Sequence, residues 1–299
     1  MGKAVQVWHG QGRVGGVNEE RGISNEGSAD SLLVTSLTCY SLPMHRERLY
    51  RTEAIVIKRS DFGEADRLLT LYTPRLGKIR AIAKGVRKPT SRKSGHVELF
   101  THSQLLIAKG RNLDIVTQAE TVHAFRPLRE DLLRTTYAYY AAELVDLFVE
   151  EGIENRPLFD LLLAMLGWLG DASDLDLTTR FFELRLLSLL GYRPQLFQCV
   201  ACRRPIEPGT NFFSAADGGI LCADCGQNHR GAQEITLNAL KVLRFLQTRD
   251  YDTCRRLRLS RPLHRELETM MYHYITYTLE RSLKSVTFLK TLRGQWVGK

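Results

Sequence analysis

The sequence predicts an α+β protein: an N-terminal OB-type β-barrel followed by an α-helical domain containing a four-cysteine zinc ribbon. Three observations predict it. Five short runs of alternating or β-branched apolar residues, separated by turn signals, fall within about eighty residues that start near Tyr50. After Phe125-Arg126-Pro127-Leu128 the apolar spacing becomes helical. Within the helical part stand Cys199-Val200-Ala201-Cys202 and Cys222-Ala223-Asp224-Cys225, separated by residues 203–221.

Residues 1–43 are rich in Gly, Ser, Asn and Glu and have no sustained apolar period, so they read as a disordered extension, with Met44 as the natural start. The barrel domain is assigned to residues 44–125 and the helical domain to 126–299, with the ribbon at 199–225. The first strand is Glu53 to Lys58, and Ser60-Asp61-Phe62-Gly63-Glu64 turns the chain into a second, Arg67 to Tyr72. Thr73-Pro74-Arg75-Leu76-Gly77 turns it again into Lys78 to Lys84. Here Lys78, Arg80, Ile82 and Lys84 share one face, and Ile79, Ala81 and Ala83 the other. Gln104 to Ala108 and Leu113 to Val122 complete five strands. An SH3-like barrel would carry much the same pattern.

Charge is concentrated in this part. Residues 49–127 hold fifteen basic and seven acidic residues, a net of +8 out of +9 for the whole chain, whereas residues 128–299 hold twenty-two and twenty-one. Such a surplus points to a polyanion, most often nucleic acid. Between the third and fourth strands, Lys84 to Gly95 has five basic residues and no acidic one. With Pro89 and two glycines it reads as a mobile cationic loop following a phosphate backbone. The nucleic-acid contacts assigned are therefore Lys78, Arg80, Lys84, Arg87, Lys88, Arg92 and Lys93, with Lys58, Arg75, Lys109 and Arg111 as second choices. Phe62, Tyr72 and Phe100 are candidate base-stacking rings, although each taken alone reads as core before platform.

Helices are expected over Arg129–Glu151, Leu158–Leu169, Leu175–Leu190, Leu237–Gln247 and from Arg261 or Pro262 to about Leu292. Asn211-Phe212-Phe213-Ser214 and Gly219-Ile220-Leu221 form a hairpin between the cysteine pairs. Each C-x-x-C places two sulfurs on one side of a tight turn, and two such knuckles make a four-sulfur shell for structural Zn2+. Disulfides or a redox pair are the alternatives, but paired knuckles are far more specific than one. His229 is a conceivable substitute ligand or a loop histidine. Arg255-Arg256-Leu257-Arg258, with Arg261 and Arg265, is a second cationic cluster that either extends a DNA path or balances acidic loops.

Four cysteine ligands leave no open metal position for water, which argues against a zinc hydrolase or deaminase. No G-x-x-x-x-G-K-[ST], H-E-x-x-H or G-x-S-x-G occurs. A binding protein without turnover is the consistent reading, and an OB/zinc-ribbon protein for RNA or transcription would use the same barrel and charges. No apolar run approaches a membrane span, no signal peptide is evident, and cysteines in this pattern suit a reducing cytoplasm.

Several segments together resemble the RecO family of bacterial recombination mediators. They are Ala54-Ile55-Val56-Ile57, Gly63-Glu64-Ala65-Asp66-Arg67, Tyr72 to Lys78, Ala83-Lys84-Gly85-Val86-Arg87, Arg180 to Leu187, Leu190-Gly191-Tyr192-Arg193-Pro194, and the four cysteines with Phe212-Phe213-Ser214 and Gly218-Gly219. The likeness covers roughly residues 49–290; residues 1–43 depart from it. The resemblance implies binding of single- and double-stranded DNA through the barrel and strand annealing. It further implies contact with single-strand-binding protein and RecR, loading of RecA, and a nucleoid-associated place in the cytoplasm.

Overall fold

The computed structural model describes residues 48–296; the extension expected over residues 1–43 lies outside them. The chain first builds β1 (Leu49–Phe62), β2 (Asp66–Thr73), β3 (Gly77–Ala83), β4 (His102–Ala108) and β5 (Asp114–His123). They close into a barrel in the order β1-β2-β3-β5-β4, with β4 returning to β1. β1 is longer than the Glu53–Lys58 run because both its halves find partners. Leu49 to Ile55 pairs with β4, and Ile55 to Phe62 pairs with β2. A register shift between Val56 and Lys58 marks a bulge just after the point where the strand's pairing with β4 ends. β3 and β5 meet in parallel at Ala81 and Ile82, and every other pairing is antiparallel. Ala54, Val56, Leu69, Leu71, Ala81, Ala83, Leu105, Ile107 and Val116 fill the interior, where the three alanines suit the narrow bore.

Outside the barrel, register divides the β1-β2-β3 face into two halves. Ile55, Tyr72 and Lys78 form one row; Lys58, Thr70 and Arg80 form a second, and Ser60, Leu68 and Ile82 a third. The first row is buried. It is covered by the helical domain: α1 (Arg126–Glu130), α2 (Leu132–Phe148), α3 (Arg156–Asp171) and α4 (Leu175–Leu189). Ile55, Ile57, Tyr72 and Phe100 share one continuous core with Leu144, Phe159 and Leu162 of these helices. The Tyr72 ring lies 6.3 Å from that of Phe159 and its hydroxyl donates to the Asn155 carbonyl at 3.4 Å. Phe100 meets Tyr139 edge-on at 4.9 Å. Tyr72 and Phe100, read as candidate stacking rings, are thus docking residues.

Lys78 locks the same seam. Its ammonium donates to the Asp146 carbonyl at 2.6 Å and lies 3.2 Å from the Asp146 carboxylate. Gly152 N–H donates to the Lys78 carbonyl at 2.9 Å. Gly77 has φ +59°, and a Cβ there would sit 1.9 Å from the Ile153 carbonyl oxygen, so both the turn and the close approach require glycine.

The segment expected to be one helix over Arg129–Glu151 is broken at Asp131. Its backbone is extended, and its carboxylate accepts from Leu133 N–H at 2.8 Å and Arg134 N–H at 3.0 Å, making it the N-cap of α2. Asn155 and Asp174 cap α3 and α4 in the same way. After α4 come β6 (Asn211–Ser214), β7 (Gly219–Cys222), α5 (Ala223–Gly226), β8 (Gln233–Ile235), α6 (Leu237–Thr248), α7 (Tyr251–Cys254), α8 (Arg261–Leu279) and α9 (Lys284–Trp296). The long helix expected to reach Leu292 stops at Glu280, whose φ is +52°. The Glu143 carboxylate accepts from the N–H groups of Lys284 and Ser285, each at 2.9 Å, and so satisfies the first turn of α9 as it folds back onto α2. Inside the bundle, Arg180 pairs with Glu183 at 2.7 Å and Tyr140 donates to the same carboxylate at 2.5 Å.

Two substitutions test the seam in chemical denaturation of the full chain. Gly77→Ala should cost about 3 kcal/mol, from the left-handed backbone and the clash with Ile153. Asp146→Ala should cost about 1–3 kcal/mol by leaving the Lys78 ammonium half-satisfied. Arg75→Ala in the same turn, whose side chain is exposed, should stay within about 0.5 kcal/mol of the parent.

Candidate metal centre and nucleic-acid interface

The first knuckle is built by backbone hydrogen bonds. Arg203 N–H donates to the Cys199 carbonyl and Cys199 N–H to the Arg204 carbonyl, each at 2.8 Å, with Arg203 at φ +62°. The second runs from the end of β7 into α5, where Gly226 lies against Phe212 so closely that a Cβ would stand 2.3 Å from the ring. The β6-β7 hairpin carries this knuckle, and Phe213 packs edge-on against Tyr274 of α8 at 5.4 Å. β8 adds a third strand beside β6; a three-residue run is too short to register as a strand in sequence.

The Sγ atoms of Cys199, Cys202, Cys222 and Cys225 all lie within 4.8 Å of one another, and those of Cys202 and Cys222 are 3.8 Å apart. A metal held tetrahedrally about 2.3 Å from four sulfurs sets them about 3.8 Å apart. The four thiols are not joined as disulfides. The group therefore fits a metal ion. Arg204 reaches over it: Nε donates to Cys202 Sγ at 3.3 Å, Nη2 to Cys222 Sγ at 3.7 Å, and the guanidinium pairs with Asp224 at 2.7 Å. That guanidinium holds the Cys202 thiol down to about 6, while the neighbouring Cys222 pushes Cys225 up to about 12. Four adjacent thiolates repel one another, and a bound cation is what lets them ionise together. His229 is no part of this group; its Nε2 lies 3.0 Å from Asp217.

The basic residues read from the sequence divide by environment. Lys78 is committed to Asp146 and buried in the seam, which takes it off the open surface. Arg80 is half-exposed, 3.9 Å from Glu151. Lys84, Lys88 and Arg92 are exposed. Arg87 is exposed and held near the β1-β2 turn, donating to the Gly63 carbonyl at 3.3 Å and standing 3.5 Å from Asp61. Lys93 instead turns inward: Nζ donates to the Val116 carbonyl at 2.9 Å, and burial lowers its pKa. The segment expected to be a mobile loop is a chain of turns ending in a 3-10 helix, Ser94–Val97. It is tied down by Gly85 N–H to the Asp66 carboxylate at 2.7 Å and by Arg87 N–H to the Ala65 carbonyl at 2.9 Å. Lys58 is exposed on the second row, 3.6 Å from Asp146, and Arg75, Lys109 and Arg111 are exposed elsewhere on the barrel. Phe62, at the β1 end of the open half, is 49% exposed. The structure thus brings Lys58, Arg80, Lys84 and Phe62 to one open face, with Arg87 at its rim. Pairing Lys58 with this set needs the strand register, which periodicity alone does not supply.

Family models match both parts of the chain: "Recombination protein O N terminal" over residues 44–125 and "Recombination protein O C terminal" over residues 129–287. A DNA repair protein RecO from Roseiflexus sp. (strain RS-1) is 49% identical over 248 residues, covering 83% of this chain and 87% of the relative. The chain belongs to the RecO family. Proteins of the same name from Pelotomaculum thermopropionicum and Dehalococcoides mccartyi (strain ATCC BAA-2266 / KCTC 15142 / 195) are 42% and 39% identical, covering 81% of this chain and 94% and 96% of theirs. The open cationic face falls in the N-terminal family segment and the four cysteines in the C-terminal one. Among the described residues no helix is long and apolar enough to cross a membrane.

In metal-free protein, alkylation of Cys202 should have its pH midpoint near the value of about 6 set by Arg204. Below that pH the thiol is protonated and slow; above it the thiolate reacts. Arg204→Ala should move the midpoint upward and slow alkylation at neutral pH, read by mass spectrometry of the labelled cysteine. An unmoved midpoint contradicts the guanidinium's role.

Proposed function

We propose that this RecO-family chain is a non-enzymatic recombination mediator in DNA repair. In this reading it binds single- and double-stranded DNA on the open half of the β1-β2-β3 face and anneals complementary strands. The observation that carries the reading is that half-face itself: Lys58, Arg80 and Lys84 beside exposed Phe62, on an OB-like barrel. OB folds bind nucleic acid on the face of strands 2 and 3. Arg87, Lys88 and Arg92 continue the phosphate track along the following turns; Lys78 and Lys93 hold structure instead. Annealing needs no bond-making step, because the obstacle is repulsion between strands, which cations relieve. By family resemblance the partners are RecR and single-strand-binding protein, with RecA loaded as the outcome, in the nucleoid-associated cytoplasm.

The metal of the four-cysteine group is Zn2+ in this reading, and its part is structural. Four thiolate ligands fill a tetrahedral shell, and the ion fastens the end of the β6-β7 hairpin to the Cys199–Cys202 knuckle without an open position for chemistry.

Binding of labelled single strands across a salt series tests the interface. About six phosphate contacts give a slope of log affinity against log salt near −4 on single strands. The triple variant Lys58→Ala/Arg80→Ala/Lys84→Ala should bring the slope to about −2, and Phe62→Ala should weaken binding by about 1–3 kcal/mol with the slope unchanged. A parental slope in the triple variant contradicts the assignment. Cys199→Ser should lower the melting temperature and the zinc content found by mass spectrometry, while leaving single-strand affinity within about twofold.

A further inference from the structure

The second arginine cluster forms a depression of about 390 Å3 on the helical domain, lined by Ser173, Asp252, Arg255, Arg256 and Arg258. Its charge is local. Residues 249–265 hold six arginines and two acidic residues, in a domain that is otherwise near neutral. Asp250 is spent on capping α7, accepting from Thr253 N–H and hydroxyl at 2.9 Å each. Asp252 lies 3.7 Å from Arg255, with both side chains exposed. Among the described residues Arg256 has no side-chain partner, and Arg258 reaches only the Leu257 carbonyl at 3.3 Å.

The support beneath is packed into the helical core. Tyr251 stacks on Trp168 at 4.0 Å and its hydroxyl lies 3.0 Å from that of Thr178. Cys254 is fully buried, and Leu257 and Leu259 pack on the core, so the alternating chain turns Arg256 and Arg258 outward.

We propose that this depression is a second phosphate-binding site, which holds the backbone of a second nucleic-acid strand while the barrel holds the first. Three guanidinium groups facing one carboxylate fit phosphate oxygens. The lining has no leucine, aromatic or other apolar wall to seat a base or a hydrophobic anchor, so the site reads backbone and not sequence. α3 sets the separation. Its sixteen residues, Arg156–Asp171, span about 24 Å between the Asn155 cap, which meets Tyr72 of the barrel, and the segment that leads to the Ser173 rim. That length exceeds the Debye length of about 8 Å at physiological salt, so the charge of the depression is screened from the barrel seam at the other end of α3. The inference rests on the proposed annealing function and assigns where the second strand goes.

The test uses the full chain with two non-complementary single strands, one carrying a donor dye and one an acceptor, at protein concentrations where the chain is monomeric. Energy transfer should report joint capture. The triple variant Arg255→Ala/Arg256→Ala/Arg258→Ala, with an unchanged melting temperature, should bind the first strand within about twofold of the parent. It should lose the transfer signal and anneal complementary strands about tenfold more slowly, and the salt slope of the second binding step should fall by about 2. The matching Arg→Lys triple should recover most of the signal. Parental transfer and annealing rate in the alanine triple would overturn the second site while leaving the barrel reading intact. Loss of first-strand binding in that variant would overturn the division of labour, and loss confined to the barrel triple supports it. Displacement of the second strand by polyglutamate at lower concentration than by DNA would overturn the assignment to nucleic acid.

Discussion

The seam between barrel and helical domain rests on one buried cation. Lys78 stands in register with Tyr72 and Ile55, on a strand face whose next row outward carries Lys58 and Arg80. An ammonium in that position is tolerable only because Asp146 offers it both a carbonyl and a carboxylate. Around it, Gly77 lets the β2-β3 turn touch the backbone of Ile153, and Tyr72 and Phe100 join the core of α2 and α3. Apolar burial supplies most of the attraction here, at roughly 25 cal/mol per Å2; the ion pair fixes which part of the barrel is covered. Once that part is fixed, the rest of the same face is left open, and it carries Lys58 and Arg80 in its next row and Lys84 at its far end.

The four-cysteine group and the barrel face use electrostatics in opposite directions. At the cysteines, several potential negative charges are held close together, stabilised in part by Arg204, and a dication is the counter-charge that suits them. On the barrel, Lys58, Arg80, Lys84 and Arg87 face outward, with Asp61, Asp146 and Glu151 as partial counter-charges. Exposed pairs at such distances are weak, about 0–1 kcal/mol, and exchange readily for phosphate. The Lys78–Asp146 contact differs because it is buried and doubly hydrogen-bonded. Two lysines of the same alternating strand region therefore have different parts, and burial decides which.

Much of the fold is legible in the sequence because periodicity reports it directly. The five strands, the two C-x-x-C knuckles and the hairpin between them follow from alternation, turn residues and spacing. The identity of the cysteine set needs no tertiary information, since two paired knuckles define it. What periodicity cannot report is what covers a face. It places Lys78, Arg80 and Lys84 on one side of β3 but is silent about a helical domain lying over one end of that side. For the same reason it does not say that Tyr72 and Phe100 are covered by α2 and α3. The helix breaks at Asp131 and Glu280 depend on partners: an aspartate that folds back on its own chain, and a glutamate on α2 that captures the start of α9 from 141 positions away. β8 forms because β6 has an edge to fill, a fact about pairing and not about Gln233-Glu234-Ile235.

Hydrogen–deuterium exchange of the full-length chain, with and without a saturating single strand, tests most directly whether the half-face left open by domain docking is the nucleic-acid surface. Slowed exchange is expected in the peptides spanning residues 58–70 and 80–92, with residues 72–78 and 144–153 at the seam equally protected in both states. Protection that appears instead only on β4 and β5, or that leaves residues 58–70 and 80–92 unchanged at saturation, would contradict it.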